Sequence, residues 1–296
     1  EAARPTVCRT VGVAVAGDEE IARLSARLDL AYRETAARVP DNDAVTITKT
    51  ASGADLSIAP LDRIDEPLSL TDLHRAIDAR LPQLDLPELI LEMHARTGFA
   101  AAFTHASEGN ARAEDIATTI CAVLVAEATN TGFEPLVRPE VSALRRSRLS
   151  WVKQNFIRAE TLTTANALLV AAHNRIPLAR VWGSGEVASA DGLRFTVPVR
   201  TIHAGPNPRY FGRERGITWY NLVSDRFSGL NALTVPGTLR DSLYLLAVVL
   251  DQETELRPGE IMTDTAGYTD TIFGIFHLLG LQFSPRIADI GGARFW

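Results

Sequence analysis

Two aspartates are placed where metal-dependent chemistry is possible. Asp191 lies in EVASADGLRFTVPVR, whose alternating pattern predicts a β-strand with Asp191, Leu193 and Phe195 on one apolar face. We expect that face to be buried, and an ionised carboxylate buried there needs a partner, hydrogen bonds or a metal ion. Asp264 lies in MTDTAGYTD, between two apolar segments. Its position is explained by a turn or helix N-cap, or by a metal site shared with another acid.

The segments between these aspartates predict how the two residues meet. GITWYNLVSDRF and LNALTVPG continue a meander of strands after the segment that carries Asp191. Next, TLRDSLYLLAVVLDQETEL predicts a crossover helix with a buried stripe of Leu239, Leu243, Leu246 and Leu250. The strand EIMTDT and the helix TDTIFGIFHLLG follow. A right-handed crossover lets the last strand lie parallel to an earlier one, so we expect Asp264 to lie beside Asp191.

A pair of carboxylates on neighbouring strands favours a divalent metal site. Their charges repel each other unless cations neutralise them, and hard oxygen ligands suit Mg²⁺ or Mn²⁺. Two ions about 4 Å apart, held by such acids, can activate water and stabilise the leaving oxygen in phosphodiester cleavage. The pattern by itself is compatible with Asp191 and Asp264 as metal ligands, and also with a strand residue hydrogen-bonded to a loop and a helix N-cap, respectively.

The chain as a whole has the pattern of an α/β protein with two regions. Residues 1–182 predict a mainly helical region with a small strand pair near 45–60. One of its helices, PELILEMHARTG, has Pro87 in its first turn and stops at Gly98. Residues 183–296 predict a second domain with a mixed sheet.

Composition excludes several classes of protein. Of the 296 residues, 46% are hydrophobic and 22% are charged, which is typical of globular proteins. Cys8 and Cys121 are far apart, which argues against a disulfide framework or a structural zinc site and fits a reducing cytosol. The sequence has no signal peptide or membrane-length apolar run, so we expect a cytoplasmic protein. It opens on Glu1 rather than methionine and is interpreted as part of a longer chain.

The net charge of the chain is −6, and this acidic balance argues against a simple nucleic-acid coat protein. Two segments of the sequence are nevertheless basic. The first contains Arg145, Arg146, Arg148 and Lys153. The second, RYFGRERG, contains Arg209, Arg213 and Arg215. Each segment forms either a solvated face or a surface for DNA phosphates, and Trp151 and Phe156 beside the first are suited to stacking on bases.

Two further motifs have structural explanations. Asp225 in VSDRF is a third acid at a strand end, and turn chemistry is the favoured explanation for it. GSGE at 183–186 lacks the preceding strand and following helix of a phosphate-binding loop. We interpret it as a linker turn.

Long strings of the sequence resemble one known family. They include WVKQNFIRAETLTTANALLVAAHNRIPLARVWGSGEVASADGLRF, VPGTLRDSLYLL, EIMTDTAGYTDTIFGIFHLLGLQFSPRIADI and the final ARFW. These strings closely resemble the transposases of the Tn3 family of replicative bacterial transposons. The resemblance is dense from about residue 136 to residue 296 and extends more thinly back to LPELILEMHARTGF.

The resemblance implies a ribonuclease-H-like catalytic domain whose Asp, Asp, Glu triad binds divalent metal, Mg²⁺ or Mn²⁺. The family's two aspartates fall on Asp191 and Asp264. Its glutamate lies farther downstream, beyond an inserted helical region, and neither Glu260 nor Asp289 matches its position. The upstream region that recognises transposon ends also has no counterpart. We therefore expect an internal fragment with a truncated catalytic domain that is inactive by itself.

Two functions remain open at this point. One is a metal-dependent DNA cleavage and 3′-end strand-transfer domain, which acts on transposon ends and target DNA and self-associates as the full-length transposase does. The other is a non-catalytic remnant that binds DNA or a full-length transposase. A complete acidic triad would favour the first.

Overall fold

A computed structural model of the chain describes residues 2–51, 53–60, 65–107, 114–239, 241–267 and 269–286. The backbone divides into two compact units, one formed mainly by residues up to Pro82 and the other mainly by Gln83–His277. The predicted domain boundary at 182/183 lies inside the second unit and stays a prediction.

The first unit contains a helical segment and a β-hairpin. Its helices are α1 (Arg4–Val11), α2 (Gly17–Arg38) and α3 (Leu68–Asp78). Strands β1 (Val45–Thr50) and β2 (Gly53–Ile58) pair antiparallel, with Thr50 opposite Gly53. Gly53 has a φ of +135°, which glycine adopts without steric cost. This hairpin confirms the strand pair predicted near 45–60.

The second unit begins with a helical layer. Its helices are α4 (Leu86–Thr97), α5 (Ile116–Thr129), α6 (Arg146–Phe156), α7 (Ala159–Asn174) and α8 (Pro177–Trp182). Helix α4 has proline in its first turn and ends at Gly98 in the left-handed conformation, as its sequence predicts. Ile120, Val123, Leu149 and Val152 are fully buried and form the centre of this layer.

A mixed sheet follows the helical layer. Its strands are β3 (Val187–Thr196), β4 (Gly205–Pro206), β5 (Arg215–Ser224), β6 (Gly229–Pro236), β7 (Glu260–Thr263) and β8 (Gln282–Pro285). The accompanying helices are α9 (Pro208–Phe211), α10 (Leu245–Leu250) and α11 (Asp270–Leu278). The main strand order is β6-β5-β3-β7-β8, and β4 also pairs with β5.

Both strand directions occur in this sheet. Strand β5 is antiparallel to β3 and β6, whereas β7 is parallel to both β3 and β8. The parallel arrangement of β3 and β7 requires the crossover that the sequence predicts, and α10 lies within that connection. Strand β8 is an addition that the sequence pattern did not predict.

One face of the sheet forms the core and the other is open. Leu222 and Ile261 are fully buried in one cluster with Val248 of α10 and Phe276 of α11. On the opposite face Leu193 remains 55% exposed.

The prediction of a buried Asp191 is wrong. The buried face of β3 carries Ala188 and Ala190, whereas Asp191, Leu193 and Phe195 lie on the exposed face. The physical reason is size, because alanine side chains let the neighbouring core approach the strand closely. Asp191 therefore has no large desolvation cost to offset.

The predicted helical stripe between β6 and β7 is also wrong. The segment forms a 3₁₀ turn, Asp241–Tyr244, before the short helix α10. Leu239, Leu243 and Leu250 are exposed, whereas Leu245, Val248 and Val249 are buried. A 3₁₀ turn has about 3.0 residues per turn, so it shifts the phase of the following helix relative to a continuous α-helix.

Helix α7 links the helical layer to the sheet within the second unit. Its Ala165 belongs to the helical core and its Val170 to the sheet core. The Asn166 side-chain amide donates to the Gly229 carbonyl over 2.8 Å, and His173 Nδ1 lies 2.7 Å from Ser228 Oγ. The sheet is therefore fastened to the helical layer at the β5–β6 turn.

A leucine-to-alanine substitution is expected to destabilise the protein more on the buried face of the sheet than on the open face. Leu222→Ala should lower the free energy of unfolding by about 2–5 kcal/mol because it leaves a cavity in the core. Leu193→Ala, on the neighbouring strand but the open face, should lower it by about 0.5 kcal/mol or less. Urea unfolding followed by tryptophan fluorescence measures both, and equal losses would contradict this assignment of faces.

Candidate active site

The register of two parallel strands brings Asp191 and Asp264 together. The last residue pair between β3 and β7 is Ala190 with Thr263, and the two aspartates come next along each strand. Ala190 and Thr263 are buried, so the alternation of side chains places both aspartates on the open face, where both are exposed. Neighbouring strands are about 4.8 Å apart. The register agrees with the expected parallel arrangement, with Asp264 one residue beyond the end of β7, and the shared cation stays a prediction.

Hydrogen bonds orient both carboxylates. The Gly192 N–H donates to Asp191 Oδ1 over 2.7 Å, and the Gly267 N–H donates to Asp264 Oδ1 over 3.2 Å. Asp264 thus also holds the 3₁₀ turn Thr265–Gly267, as the simpler explanation of this residue predicted. An ionised carboxylate has about four lone-pair sites, so a hydrogen bond to it does not exclude cation binding.

The donor set fits a divalent cation held by two carboxylates. Both groups are hard oxygen donors in open positions, and Mg²⁺ usually keeps several waters and binds through one or two protein carboxylates. Within the described ranges, no group of three or more His, Cys, Asp or Glu side chains is arranged to hold a metal ion. Glu260 lies at the far end of β7, four residues or about 13 Å from Asp264. Asp289 lies outside the described residues.

Comparison with known proteins now identifies the family. The profile of the Tn3 transposase DDE domain matches residues 88–296, more than half of the chain. The chain belongs to this family. The match, together with the mixed sheet, confirms the predicted α/β fold and ribonuclease-H-like DDE domain. Domains of this kind generally use divalent metal ions.

Curated relatives of this DDE domain are transposases. The chain is 52% identical over 293 residues to the transposase for transposon gamma-delta of Escherichia coli, covering 99% of the chain and 29% of the relative. It is 44% identical over 294 residues to the transposase for transposon Tn4556 of Streptomyces fradiae, covering 99% and 32%. It is 36% identical over 272 residues to the transposase for transposon Tn501 of Pseudomonas aeruginosa, covering 91% and 27%. The chain thus spans about a third or less of the length of these relatives.

Asp225 accepts hydrogen bonds from the segment that precedes β3 in this DDE domain. Its Oδ1 and Oδ2 accept from the Gly185 N–H over 2.9 and 3.1 Å. The neighbouring Arg226 donates through Nε to the Gly183 carbonyl over 3.1 Å. A Cβ on Gly183 would lie 2.2 Å from the Asp225 carboxyl carbon, so glycine is required there. These contacts confirm Asp225 as a turn residue and GSGE as a linker turn.

The basic side chains of the first segment form ion pairs and hydrogen bonds with other parts of the protein. Arg146 forms an ion pair with Glu134, and Lys153 forms one with Glu127 over 2.6 Å. Arg145 Nε donates to the Pro139 carbonyl over 3.1 Å. Arg148 donates to the Glu114 carbonyl.

The aromatic residues of that segment pack inside the helical layer. Phe156 is buried, and its ring centroid lies 5.0 Å from that of the half-buried Trp151. His105 completes the group at 5.2 Å from Phe156 and 5.6 Å from Trp151. Phe156 cannot stack on a base, so the predicted interleaving of basic and aromatic contacts is wrong for this residue.

The second basic segment remains on the surface. Arg209, Arg213 and Arg215 are exposed and, within the described ranges, form no ion pair. The guanidinium carbons of Arg194 and Arg209 lie 3.9 and 5.4 Å from the Tyr210 ring centroid. Arg194 was missed in the sequence because it belongs to a strand rather than to a basic run. We call these four arginines and Tyr210 the 194–215 basic surface.

Two further features bear on the expected class of protein. Burial raises the pKa of the Cys121 thiol to about 11, so this cysteine is protonated at neutral pH and packs in the core. Both cysteines are free. In the described part of the chain, no helix combines the length and apolarity needed to cross a membrane.

The Asp225 hydrogen bonds predict a structural role that is separable from metal binding. Asp225→Ala should lower the free energy of unfolding by about 1–3 kcal/mol, because the Gly185 N–H is left without its acceptor. Asp251→Ala, at an exposed helix end, is the matched control and should change stability little. Urea unfolding measures both. A stable Asp225→Ala variant that no longer binds Mn²⁺ would contradict the turn assignment.

Proposed function

We propose that this chain is the part of a replicative transposase that binds divalent metal through Asp191 and Asp264 for DNA cleavage and 3′-end strand transfer. One observation carries the proposal, namely the register that places the two aspartates next to each other on the open face. Membership of the DDE-domain family supports it. The ion is Mg²⁺ or Mn²⁺, because both ligands are carboxylate oxygens.

The protein's part in this chemistry is to position the two carboxylates. Ala190 and Thr263 hold the strands against the core, and Asp264 directly follows β7, where its hydrogen bond from Gly267 ties it to the 3₁₀ turn. When bound, a divalent ion supplies an activated nucleophile and stabilises the leaving oxygen of a phosphodiester. The open face leaves room for the DNA backbone beside Asp191 and Asp264.

We further propose that the substrates are transposon ends and target DNA in the bacterial cytoplasm, and that the chain self-associates as part of a transposase. The names of the relatives support the first statement, since each is a transposase for a transposon. Binding of DNA phosphates is assigned mainly to the 194–215 basic surface, because its arginines include three without described ion pairs. The cluster Arg145, Arg146, Arg148 and Lys153 makes a smaller contribution.

A second function, non-catalytic binding of DNA or of a full-length transposase, is favoured by the two-carboxylate site. Among the described residues, no third His, Cys, Asp or Glu side chain joins these two acids in a group that could hold a metal ion. Two carboxylates can hold one magnesium ion, but fixing a second ion requires further ligands. We therefore propose that the 296-residue chain alone binds metal and DNA without cleaving DNA.

The metal site predicts a loss of affinity in two variants. Asp191→Asn and Asp264→Asn should each weaken Mn²⁺ binding by about tenfold or more, since each replaces an anionic ligand by a neutral amide. The free Mn²⁺ signal in electron paramagnetic resonance measures the affinity. Asp251→Asn is the charge-matched control. Binding that is unchanged in both site variants would contradict the proposed site.

A nicking assay separates the two functions. The purified chain with Mg²⁺ or Mn²⁺ and DNA that carries transposon ends should give no nicking above an Asp191→Ala control. Nicking that depends on both Asp191 and Asp264 would favour the catalytic function for the chain alone. Asp225 and Asp289 would then be the first residues to test as a third acid.

The two basic segments predict different effects on the salt dependence of DNA binding. Replacing Arg209, Arg213 and Arg215 with alanine should flatten the slope of log K against log salt by about 0.9 for each phosphate that the protein no longer neutralises. Replacing Arg145, Arg146 and Arg148 should change it less, because these side chains already have protein partners. Fluorescence anisotropy with duplex DNA measures both slopes. An unchanged slope in the first variant would show that its arginines form only a solvated face.

A further inference from the structure

Asn221 lies directly across the sheet from Asp191. The antiparallel register of β3 and β5 pairs these two residues. Tyr220 and Leu222 on either side of Asn221 are buried, so Asn221 is on the same open face as Asp191. The Cβ atoms of such cross-strand partners are about 4.5–5.5 Å apart.

Three neighbouring strands therefore carry one polar row. Asn221 of β5 is followed by Asp191 of β3 and then by Asp264, which continues β7 by one residue. Asp191 is the central member and has the other two as its neighbours.

The residues around Asn221 make its polarity significant. The positions of β5 that share its face on either side are Ile217, Trp219 and Val223, all of them apolar. Asparagine is disfavoured in strands, where β-branched and aromatic residues pack better. A half-buried amide in an apolar series thus has a local cost that a hydrogen bond to Asp191 would offset.

The amide is suited to holding a ligating carboxylate. Within the described residues, the Asn221 side chain makes no hydrogen bond, either to Asp191 or to another group, so both of its N–H donors are uncommitted. Its Nδ2 has two donors, whereas an ionised carboxylate accepts only. Carboxylates that bind metals are commonly oriented by hydrogen bonds from neighbouring groups, and removal of such a partner typically costs about 10–100-fold in metal affinity.

We infer that Asn221 is a positioning residue of the Asp191–Asp264 site, whose amide turns to donate to the Asp191 carboxylate when a cation binds and orients the carboxylate there. This inference rests on the proposed metal-binding function. It adds a third, neutral residue from a strand that carries neither acid.

Mn²⁺ affinity of the full 296-residue chain tests this role. Asn221→Leu removes the donor while keeping the number and branching of the side-chain heavy atoms, so it should fold and weaken Mn²⁺ binding by about tenfold. Asn221→Asp keeps the side-chain shape but removes both amide donors, and its added charge should tighten Mn²⁺ binding; tightening would show that position 221 faces the cation, while the loss in Asn221→Leu reports the donor. Thr234→Val, on the exposed face of β6, is the control and should bind as the unmodified chain does. Thermal unfolding confirms that each variant is folded.

The outcomes separate this inference from the proposed function. If Asp191→Asn abolishes Mn²⁺ binding while both Asn221 variants stay within about twofold of the unmodified chain, against the roughly tenfold expected, Asn221 has no positioning role and the metal site stands. If Asp191→Asn binds Mn²⁺ normally, the proposed metal site fails and the role of Asn221 fails with it.

Discussion

The parallel register of β3 and β7 is the constraint on which the candidate site depends. It sets Ala190 opposite Thr263 and thereby places the next residue of each strand, Asp191 and Asp264, side by side. Because side chains alternate between faces, a slip of one residue in either strand would turn one aspartate toward the core. The buried positions of Ile261 and Ala188 resist such a slip, since it would expose them and bury charge.

The division of the sheet into a buried and an open face explains why acids are tolerated at its centre. Leu222 and Ile261 are buried against the neighbouring helices, whereas Asp191 and Asp264 on the other face remain exposed to solvent. Exposure spares both carboxylates a large desolvation cost, and in the proposed function a divalent cation neutralises the pair. Asn221 extends the same row into β5, so the proposed site draws on β3, β5 and the residue that follows β7.

Charge is distributed unevenly over the second unit. Arg146 and Lys153 are paired with glutamates, and exposed pairs of this kind contribute little to stability. Their main consequence for the proposed DNA binding is that a phosphate would compete with a glutamate carboxylate for the same arginine or lysine. The 194–215 basic surface is closer in sequence to Asp191 than the segment Arg145–Lys153 is. The guanidinium groups of Arg194 and Arg209 lie against the Tyr210 ring.

The sequence by itself determined the order of the elements around the site. Alternation in EVASADGLRF, the crossover before EIMTDT and the family resemblance placed Asp191 and Asp264 on adjacent parallel strands, because periodicity and connection rules are local properties of the chain. Only the tertiary structure decided which face of β3 is buried, since both of its faces carry apolar residues and the small Ala188 and Ala190 pack most closely. It also decided the phase of α10, the added strand β8 and the ion pairs of Arg146 and Lys153. Each of these depends on contacts between segments distant in sequence, which no local pattern encodes.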